Sequence, residues 1–228
     1  MIGIICAMKI EADAIRETLA SPVTETVSGI EFTRGSLHGK EVVMAVCGIG
    51  KVFAAVCAEA MILRYAPTLL LNSGVAGTLT PALSIGDVAI ATSLVQHDMD
   101  TSAIGDPVGL VSGINKIYFE ADADAVKRLS AAAAKVGAVT LCGTIASGDQ
   151  FLADGARKKA IAETFGAVAC EMEGAAVAQV AYINRTPFAV MRAISDSASG
   201  DATMEYPKFL AMAAARSHAI LDAFLAED

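Results

Sequence analysis

Residues 167–196, AVACEMEGAAVAQVAYINRTPFAVMRAISD, decide how this chain folds. Two short apolar runs, Ala167 to Cys170 and Phe188 to Ala193, flank an alanine-rich stretch, which predicts a strand, a helix and a second, parallel strand. The first run ends at Glu171-Met172-Glu173 and the second at Ser195-Asp196. Ligands of an open parallel sheet bind beyond the carboxyl ends of its strands. We therefore expect these carboxylates to face one small pocket.

The same alternation of apolar runs and helical stretches continues along the chain. Because no linker, repeat or low-complexity tract interrupts it, we expect one domain over residues 1–228. The alternation predicts an α/β fold with three layers, α/β/α, and a central mixed, mostly parallel sheet. Gly74 to Gly77 is expected as a turn and His97 to Ile117 as a long loop. The expected strands are Ile2–Ala7, Ile30–Ser36, Glu41–Val46, Leu69–Asn72, Val88–Ser93 and Val139–Ile145, and the expected helices are Glu11–Leu19, Lys51–Tyr65, Asp122–Val136, one that Asp154 caps and that ends near Phe165, and Tyr206–Ala226.

Composition and charge narrow the class of ligand. Of 228 residues, 54% are hydrophobic and 18% are charged, which suits strands buried on both faces and leaves apolar surface for a second subunit. We therefore expect a homo-oligomer, with a homodimer as the simplest case. A formal net charge of -8 argues against binding nucleic acid or an anionic membrane, because both require clustered Lys and Arg. The expected ligand is a small molecule.

The chain has no pattern typical of a membrane span or an export signal. Its longest uncharged stretch, Ala66 to Ile85, is interrupted by prolines and glycines, and the apolar start from Met1 to Met8 lacks a basic segment. We expect a cytoplasmic protein with a buried first strand. The five cysteines are scattered in apolar segments without a Cys-x-x-Cys pair, which predicts buried free thiols.

Three short motifs are interpreted conservatively. Gly48-Ile49-Gly50-Lys51 lacks the spacing of a phosphate loop or a dinucleotide fingerprint, so we expect a tight turn before a helix. His97, Asp98 and Asp100 form no recognised metal-ligand spacing and are expected to be solvated loop residues, so no metal and no cofactor are predicted. The sequon at Asn184 is expected to be an unglycosylated turn between a helix and a strand.

Acidic residues at strand ends carry the functional prediction. Glu11 follows the first apolar run and starts a helix, so in a doubly wound sheet it can reach the same rim as Glu171, Glu173 and Asp196. The alternative is that these carboxylates only stabilise the first turns of helices through the helix dipole. Cleavage of a bond to an anomeric carbon uses such a set, because one acid activates water, one holds sugar hydroxyls and one protonates the leaving group.

Six patches of the chain together resemble the purine nucleoside phosphorylase superfamily, and within it the 5'-methylthioadenosine/S-adenosylhomocysteine nucleosidases. The likeness covers nearly the whole chain. The patches are Gly3 to Met8 with Glu11, Gly48 to Val52, Asn72 to Gly77, Ser147 to Phe151, Glu171 to Ala175, and Arg192 to Asp196. The resemblance implies a homodimeric hydrolase, without metal or cofactor, that splits the N-glycosidic bond of an adenine nucleoside.

The resemblance also implies a role for each matching residue. Glu11 is expected to activate the attacking water, and Asp196, supported by Ser195, to protonate N7 of adenine. Glu173 is expected to bind ribose hydroxyls. The other expected contacts are Met172 against the sugar, Phe151 stacked on the base, the backbone of Leu152 at the adenine edge, and Met8, Ile49 and Tyr206 as apolar contacts.

The chemistry of adenine departure agrees with these roles. Adenine is a poor leaving group as an anion, and a positioned acid that protonates N7 contributes roughly 10² to 10⁴ in rate. To serve as that acid, Asp196 must deliver a proton near neutral pH. An aspartate also favours adenine over a 6-oxopurine, because the adenine amino group donates to it.

Some positions depart from the family pattern. Val75 stands where many members have a serine, which removes a hydroxyl near the expected water, and Cys6 replaces a usual glycine and is expected to tighten the nucleophile side of the pocket. Asp100 to Ile114 matches least, with Ile104 where members often place aromatic residues near the 5' group of the substrate. The 5' substituent therefore stays open among methylthio, homocysteinyl, deoxy and aminofutalosine-type groups.

Two other functions remain as alternatives. A phosphorylase on the same fold is expected to hold phosphate with arginine and hydroxyl donors, yet no arginine lies between Met1 and Glu11 and Val75 has no hydroxyl. A nucleoside-binding protein without turnover is the second alternative, and it predicts binding without release of adenine.

Overall fold

The computed structural model describes residues 1–198 and 202–227. Its strands and helices alternate through the chain, as the apolar pattern predicts. The strands are β1 Ile2–Cys6, β2 Ala20–Val27, β3 Ile30–Leu37, β4 Lys40–Val46, β5 Leu69–Thr78, β6 Val88–Gln96, β7 Tyr118–Glu120, β8 Thr140–Ser147, β9 Ala167–Glu171 and β10 Phe188–Asp196. The helices are α1 Lys9–Thr18, α2 Lys51–Tyr65, α3 Ala123–Lys135, α4 Gly155–Phe165, α5 Gly174–Asn184 and α6 Ala202–Leu225, with a short 3-10 turn at Ser102–Ile104.

The described strands form one mixed sheet in the order β10-β6-β8-β9-β5-β1-β4-β3-β2, with β7 beside β6. Strand β10 also pairs with β5, so β5, β9, β8, β6 and β10 close into a ring. Parallel pairs join β1 to β4 and β5, β5 to β10, and β8 to β6 and β9. This closure brings the carboxyl ends of β5, β9 and β10 together.

Helices cover both faces of the sheet. Helices α1, α3 and α6 pack together on one face, and α2 and α5 pack together on the other. Helix α4 packs against β8 and β9 near the rim. The predicted α/β class with an α/β/α arrangement is confirmed.

Local sequence signals set several helix boundaries as expected. The carboxylates of Asp122 and Asp154 accept hydrogen bonds from the backbone amides of Ala125 and Ala156, which caps α3 and α4. Helix α2 begins at Lys51 after the Gly48–Gly50 turn and ends at Tyr65, ahead of Pro67. The predicted limits of α2 are thus confirmed.

One expectation about secondary structure was wrong, and two strands were not predicted. Residues 74–77 form no turn, because β5 continues through both glycines to Thr78. Strand β2 is mostly exposed and carries no buried face for an apolar pattern to reveal, so it was missed. The three-residue strand β7 lies just beyond the long loop and is too short to give a periodic signal.

Four of the five cysteines are buried, but Cys142 is exposed. The prediction was wrong for this residue because β8 is only partly covered at its start, and Cys142 faces outward beside Ser130. Within residues 1–198 and 202–227, no helix combines the length and apolar character that crossing a bilayer requires.

Candidate active site

A cavity of about 340 Å³ opens at the rim where β1, β5, β9 and β10 end. All ten residues expected to bind substrate or act in catalysis line it. They are Met8, Glu11, Ile49, Phe151, Leu152, Met172, Glu173, Ser195, Asp196 and Tyr206. Residues that lie up to about 200 positions apart in the sequence thus meet around one volume large enough for a small ligand.

Glu11 lies in the first turn of α1, with its side chain buried against the end of β5. One carboxylate oxygen, Oε2, accepts hydrogen bonds from the backbone amides of Ala7 (3.0 Å) and Met8 (2.9 Å), and Oε1 accepts one from Val75 (3.2 Å). Burial raises the pKa of Glu11, although these amides and the charge of Arg192 oppose the shift. A raised pKa makes the Glu11 carboxylate a stronger base near neutral pH.

Glu173 occupies the N-cap position of α5 and is also buried. Its Oε1 accepts a hydrogen bond of 2.8 Å from the amide of Gly50. Gly50 adopts φ +103°, a conformation that favours glycine, and so the Gly48–Gly50 turn presents its amide to the cavity. Burial, followed by the charge of Glu171, raises the pKa of Glu173 to about 7, and Arg192 opposes this shift.

Glu171 serves a different purpose from the other acids. It forms a buried ion pair with Arg192, accepts a hydrogen bond from Ser147 Oγ, and accepts the backbone amides of Glu173 (3.0 Å) and Gly174 (2.8 Å). Glu171 lines the cavity together with Glu11, Glu173 and Asp196, as expected. Its oxygens are already bonded to the start of α5, which is the helix-terminus role weighed as the alternative.

Asp196 ends β10 and is held from two sides. Its Oδ1 accepts a hydrogen bond from Ser195 Oγ at 3.0 Å, and its Oδ2 lies 2.8 Å from Lys158 Nζ in an ion pair between two buried side chains. Both contacts are shielded from water, since Lys158 is 1% and Asp196 3% exposed. The acid expected at this position is thus present together with a cation.

Lys158 is a residue that sequence reasoning missed. It lies on α4 with Ile161 and Phe165, the other buried residues of that helix. A lysine at helical spacing from two buried apolar residues was the available signal, because lysine is almost never fully buried without a partner. The partner, Asp196, is 38 positions away and could not be inferred from spacing.

The glycines of β5 make room for the carboxylates. A Cβ at Gly74 would lie 2.8 Å from Glu11 Oε1, and a Cβ at Gly77 would lie 2.5 Å from Asp196 Oδ2. Strand glycines commonly mark such close approaches. The sequence Gly-Val-Ala-Gly therefore belongs to a strand whose missing side chains admit two acids.

Aromatic and apolar side chains form the remaining walls. The rings of Phe151 and Tyr206 meet edge to face, with centroids 5.4 Å apart, and the Tyr206 hydroxyl contacts Met8 Sδ at 3.3 Å. Phe151 and Ile49 are half exposed at the mouth. Such a surface suits a flat heteroaromatic ring.

Two expectations near the site were wrong. Cys6 does not line the cavity, because its fully buried side chain packs in the cluster beneath α1 with Ile15. Asp98 is not a freely solvated loop residue, since it pairs with Lys51 Nζ at 2.6 Å and accepts the amide of Asp149 at 2.9 Å. The neighbouring His97 is buried as well.

The comparisons with known proteins agree with this geometry. Residues 1–226 match the model of the phosphorylase superfamily. A 5'-methylthioadenosine/S-adenosylhomocysteine nucleosidase of Shewanella halifaxensis is 38% identical over 226 residues, which cover 98% of each chain. The chain belongs to this nucleosidase family of the phosphorylase superfamily.

Solved structures of this family match over nearly the full chain. The nucleosidase of Neisseria meningitidis in complex with methylthio-immucillin-A superposes with a TM-score of 0.94 at 34% identity, covering 99% of this chain and 98% of that one. The structure of a futalosine hydrolase of Helicobacter pylori superposes with a TM-score of 0.93 at 36% identity, covering 98% and 96%. The two matched structures thus carry different names, one with methylthioadenosine and S-adenosylhomocysteine and the other with futalosine.

The charged side chains of this site lie on different elements of the fold. Glu11 lies at the ends of β1 and β5, whereas the Asp196–Lys158 pair lies at the end of β10 beside α4. Glu173 stands at the start of α5. Among the described residues, no group of three or more His, Cys, Asp or Glu side chains is arranged to hold a metal ion. The absence of a metal or cofactor stays a prediction.

Proposed function

We propose that the protein hydrolyses the N-glycosidic bond of adenine nucleosides with 5'-thio substituents, 5'-methylthioadenosine or S-adenosylhomocysteine, and releases adenine and a thioribose. One observation carries the proposal: Glu11, Glu173 and Asp196 line a single cavity whose mouth holds an aromatic ring. The relatives that this chain matches are named for these two nucleosides.

Glu11 is the proposed base that activates water. Its Oε1 and Oε2 are fixed by three backbone amides, so the carboxylate cannot rotate away from the cavity. Burial raises its pKa, which favours abstraction of a proton from water as the anomeric carbon gains positive charge. Val75 contributes an amide, not a hydroxyl, so Glu11 alone of these two side chains can orient the water.

Glu173 and Met172 are the proposed ribose contacts. A deprotonated Glu173 has lone pairs left to accept from two sugar hydroxyls after it bonds to the Gly50 amide. Met172 lies beside it in the cavity wall, where its flexible thioether can pack against the sugar. These contacts place the anomeric carbon between Glu11 and Asp196.

Asp196 is the proposed acid for the leaving base. Protonation of N7 allows adenine to depart as a neutral molecule, and an aspartate carboxyl also accepts from the exocyclic amino group. Phe151 is the proposed stacking partner of the purine, and Leu152 supplies backbone groups at its edge. Ser195 keeps the Asp196 carboxyl in place through its hydroxyl.

The charge of the cavity favours hydrolysis over phosphorolysis. Two carboxylates, those of Glu11 and Glu173, would face a phosphate dianion beside the anomeric carbon, and like charges in a partly buried site repel. Water carries no such charge. We therefore place the phosphorylase alternative second.

The test is an adenine-release assay over a panel of 5'-substituted adenosines, measured with and without phosphate. We expect phosphate-independent release, fastest with a thio substituent, and a loss of about 10² to 10⁴ in kcat for Asp196→Asn and for Glu11→Gln. Glu17→Gln, on the exposed side of α1, is the matched control and should keep full activity. Strict phosphate dependence would establish a phosphorylase, and binding without adenine would establish a nucleoside-binding protein.

We also propose that the protein acts as a cytoplasmic homodimer that binds neither nucleic acid nor membranes. Helix α2 exposes an apolar face, with Val52 and Leu63 each 74% and Phe53 58% exposed, and α5 beside it exposes Ile183 at 59%. A face of this kind is typical of a subunit interface.

Sedimentation of the wild type should give twice the chain mass of 23.4 kDa. Val52→Glu should shift it toward the monomer, because a charge would be buried at the contact. Val139→Glu places the same charge on a residue that is 62% exposed outside α2 and α5, and it serves as the control. A monomeric wild type would contradict the proposal.

A further inference from the structure

Lys158 has an arrangement that a purely structural lysine does not need. Its ammonium is buried, donates to Asp196 Oδ2 at 2.8 Å and donates to the carbonyl oxygen of Ser197 at 2.6 Å. Both acceptors lie at the end of β10, so Lys158 of α4 contacts the residue that faces the purine in the proposed function. Removing a charged pair from water is costly, so stability alone is a weak reason for this buried pair.

Groups on β5, β9 and β10 surround the ion pair. Ser195 bonds to Asp196 Oδ1, the missing Cβ of Gly77 faces Oδ2, and the Tyr206 side chain lies across the cavity. On β9, Cys170 is the titratable neighbour of both Lys158 and Asp196, and burial raises its pKa to about 12, so the thiol stays neutral. Among the described residues, Asp196 is the carboxylate that hydrogen-bonds to Lys158.

We propose that Lys158 is the positioning residue of the leaving-group acid: its ammonium fixes the Asp196 carboxyl and holds the proton that the pair delivers to adenine. The inference rests on the proposed function, because it assigns Asp196 to the base-protonating side of the cavity. It adds that the acid is a pair of residues.

The proton balance of the step is as follows. The C1'–N9 bond breaks and its electron pair moves to the purine, while Lys158 Nζ gives a proton to the Asp196 carboxylate and Asp196 passes it to N7. Water bonds to C1' and gives its proton to Glu11. Lys158 ends as a neutral amine, Asp196 as a carboxylate and adenine as a neutral molecule. Exchange with solvent returns a proton from Glu11 to Lys158 when the products leave.

The first measurement is the pH dependence of kcat/KM for adenine release by the wild type. A coupled pair gives up its protons in steps that belong to both groups and not to either residue alone. Because an ammonium holds the proton in this proposal, we expect kcat/KM at pH 8 to equal its value at pH 7. A basic limb that falls below pH 8 would overturn the proposal, and this measurement requires no variant to fold.

The second measurement uses Lys158→Met and Lys158→Arg. Lys158→Met should lower kcat by about 10² and move the basic limb at least one pH unit lower, because Asp196 then holds the proton alone. Lys158→Arg keeps the charge, but guanidinium does not release a proton, so kcat should fall at least tenfold while KM changes less than threefold. Lys159→Met, on the exposed face of the same helix, is the matched control.

The outcomes separate this inference from the proposed function. Wild-type kcat in Lys158→Arg, or an unmoved basic limb in Lys158→Met, overturns the role of Lys158 even if Asp196→Asn is inactive. Near-normal adenine release by Asp196→Asn instead overturns the proposed function of the site itself.

Discussion

A single methyl group at position 77 should displace the proposed acid. An ideal Cβ on Gly77 would lie 2.5 Å from Asp196 Oδ2 and 3.2 Å from its Cγ, whereas ordinary contacts begin at 3.4 Å. In Gly77→Ala the carboxyl must therefore retreat by about 1 Å, a misplacement that costs about 10² in rate, or about 2.7 kcal/mol in the barrier. Because Asp196 Oδ2 also holds Lys158, the same shift strains the 2.8 Å ion pair.

The assay is steady-state release of adenine, with kcat and KM determined separately and folding checked by thermal denaturation. Gly143→Ala is the matched control, because a Cβ there would lie 2.8 Å from the Val168 side chain, a similar overlap that involves no catalytic carboxylate. We expect Gly143→Ala to lose stability but keep kcat. A Gly77→Ala enzyme with kcat within threefold of the wild type would refute the reasoning about the position of Asp196.

Two further predictions concern the buried charges. Burial and the charge of Glu171 raise the pKa of Glu173 to about 7, so the folded state loses stability as the pH rises through 7. Thermal denaturation of Glu173→Gln should therefore show a larger gain in stability over the wild type at pH 8 than at pH 5. An equal difference at the two pH values would contradict this. Arg192→Met leaves Glu171 charged and unpaired in the interior, so urea denaturation should show a loss of about 3–5 kcal/mol in the free energy of unfolding, and a loss below about 1 kcal/mol would argue against the ion pair.

Much of the fold follows from local patterns. Helices α3 and α4 begin where Asp122 and Asp154 predict, because a capping carboxylate satisfies amides only a few residues away. Helix α2 begins after the Gly48–Gly50 turn, as expected. The exposed strand β2 was not predicted, because no buried face imposes an alternating pattern on its residues. Residues 74–77 were wrongly predicted to form a turn, because glycines usually mark turns. Here the two glycines mark places where side chains from β10 and α1 approach the strand closely.

The candidate site, like the fold, could be predicted only in part from the sequence. The positions of Glu11, Glu173 and Asp196 at strand ends predicted that they lie at one rim of the sheet. The family resemblance predicted the other residues that line the cavity. Neither indicated that Glu171 bonds to Arg192 across the core. That pairing depends on how far each side chain reaches inside the closed ring of strands, which is a property of packing.

The amino-acid sequence by itself determined which segments become helices and strands and which acids stand at strand ends, because these outcomes depend on neighbours a few residues apart. Only the tertiary structure decided the partners of those acids. The ring closes when β10 pairs with both β5 and β6, and that closure brings Lys158 of α4 to Asp196. Burial then removes water from between them, and the low dielectric makes the pairing a feature of the folded protein alone.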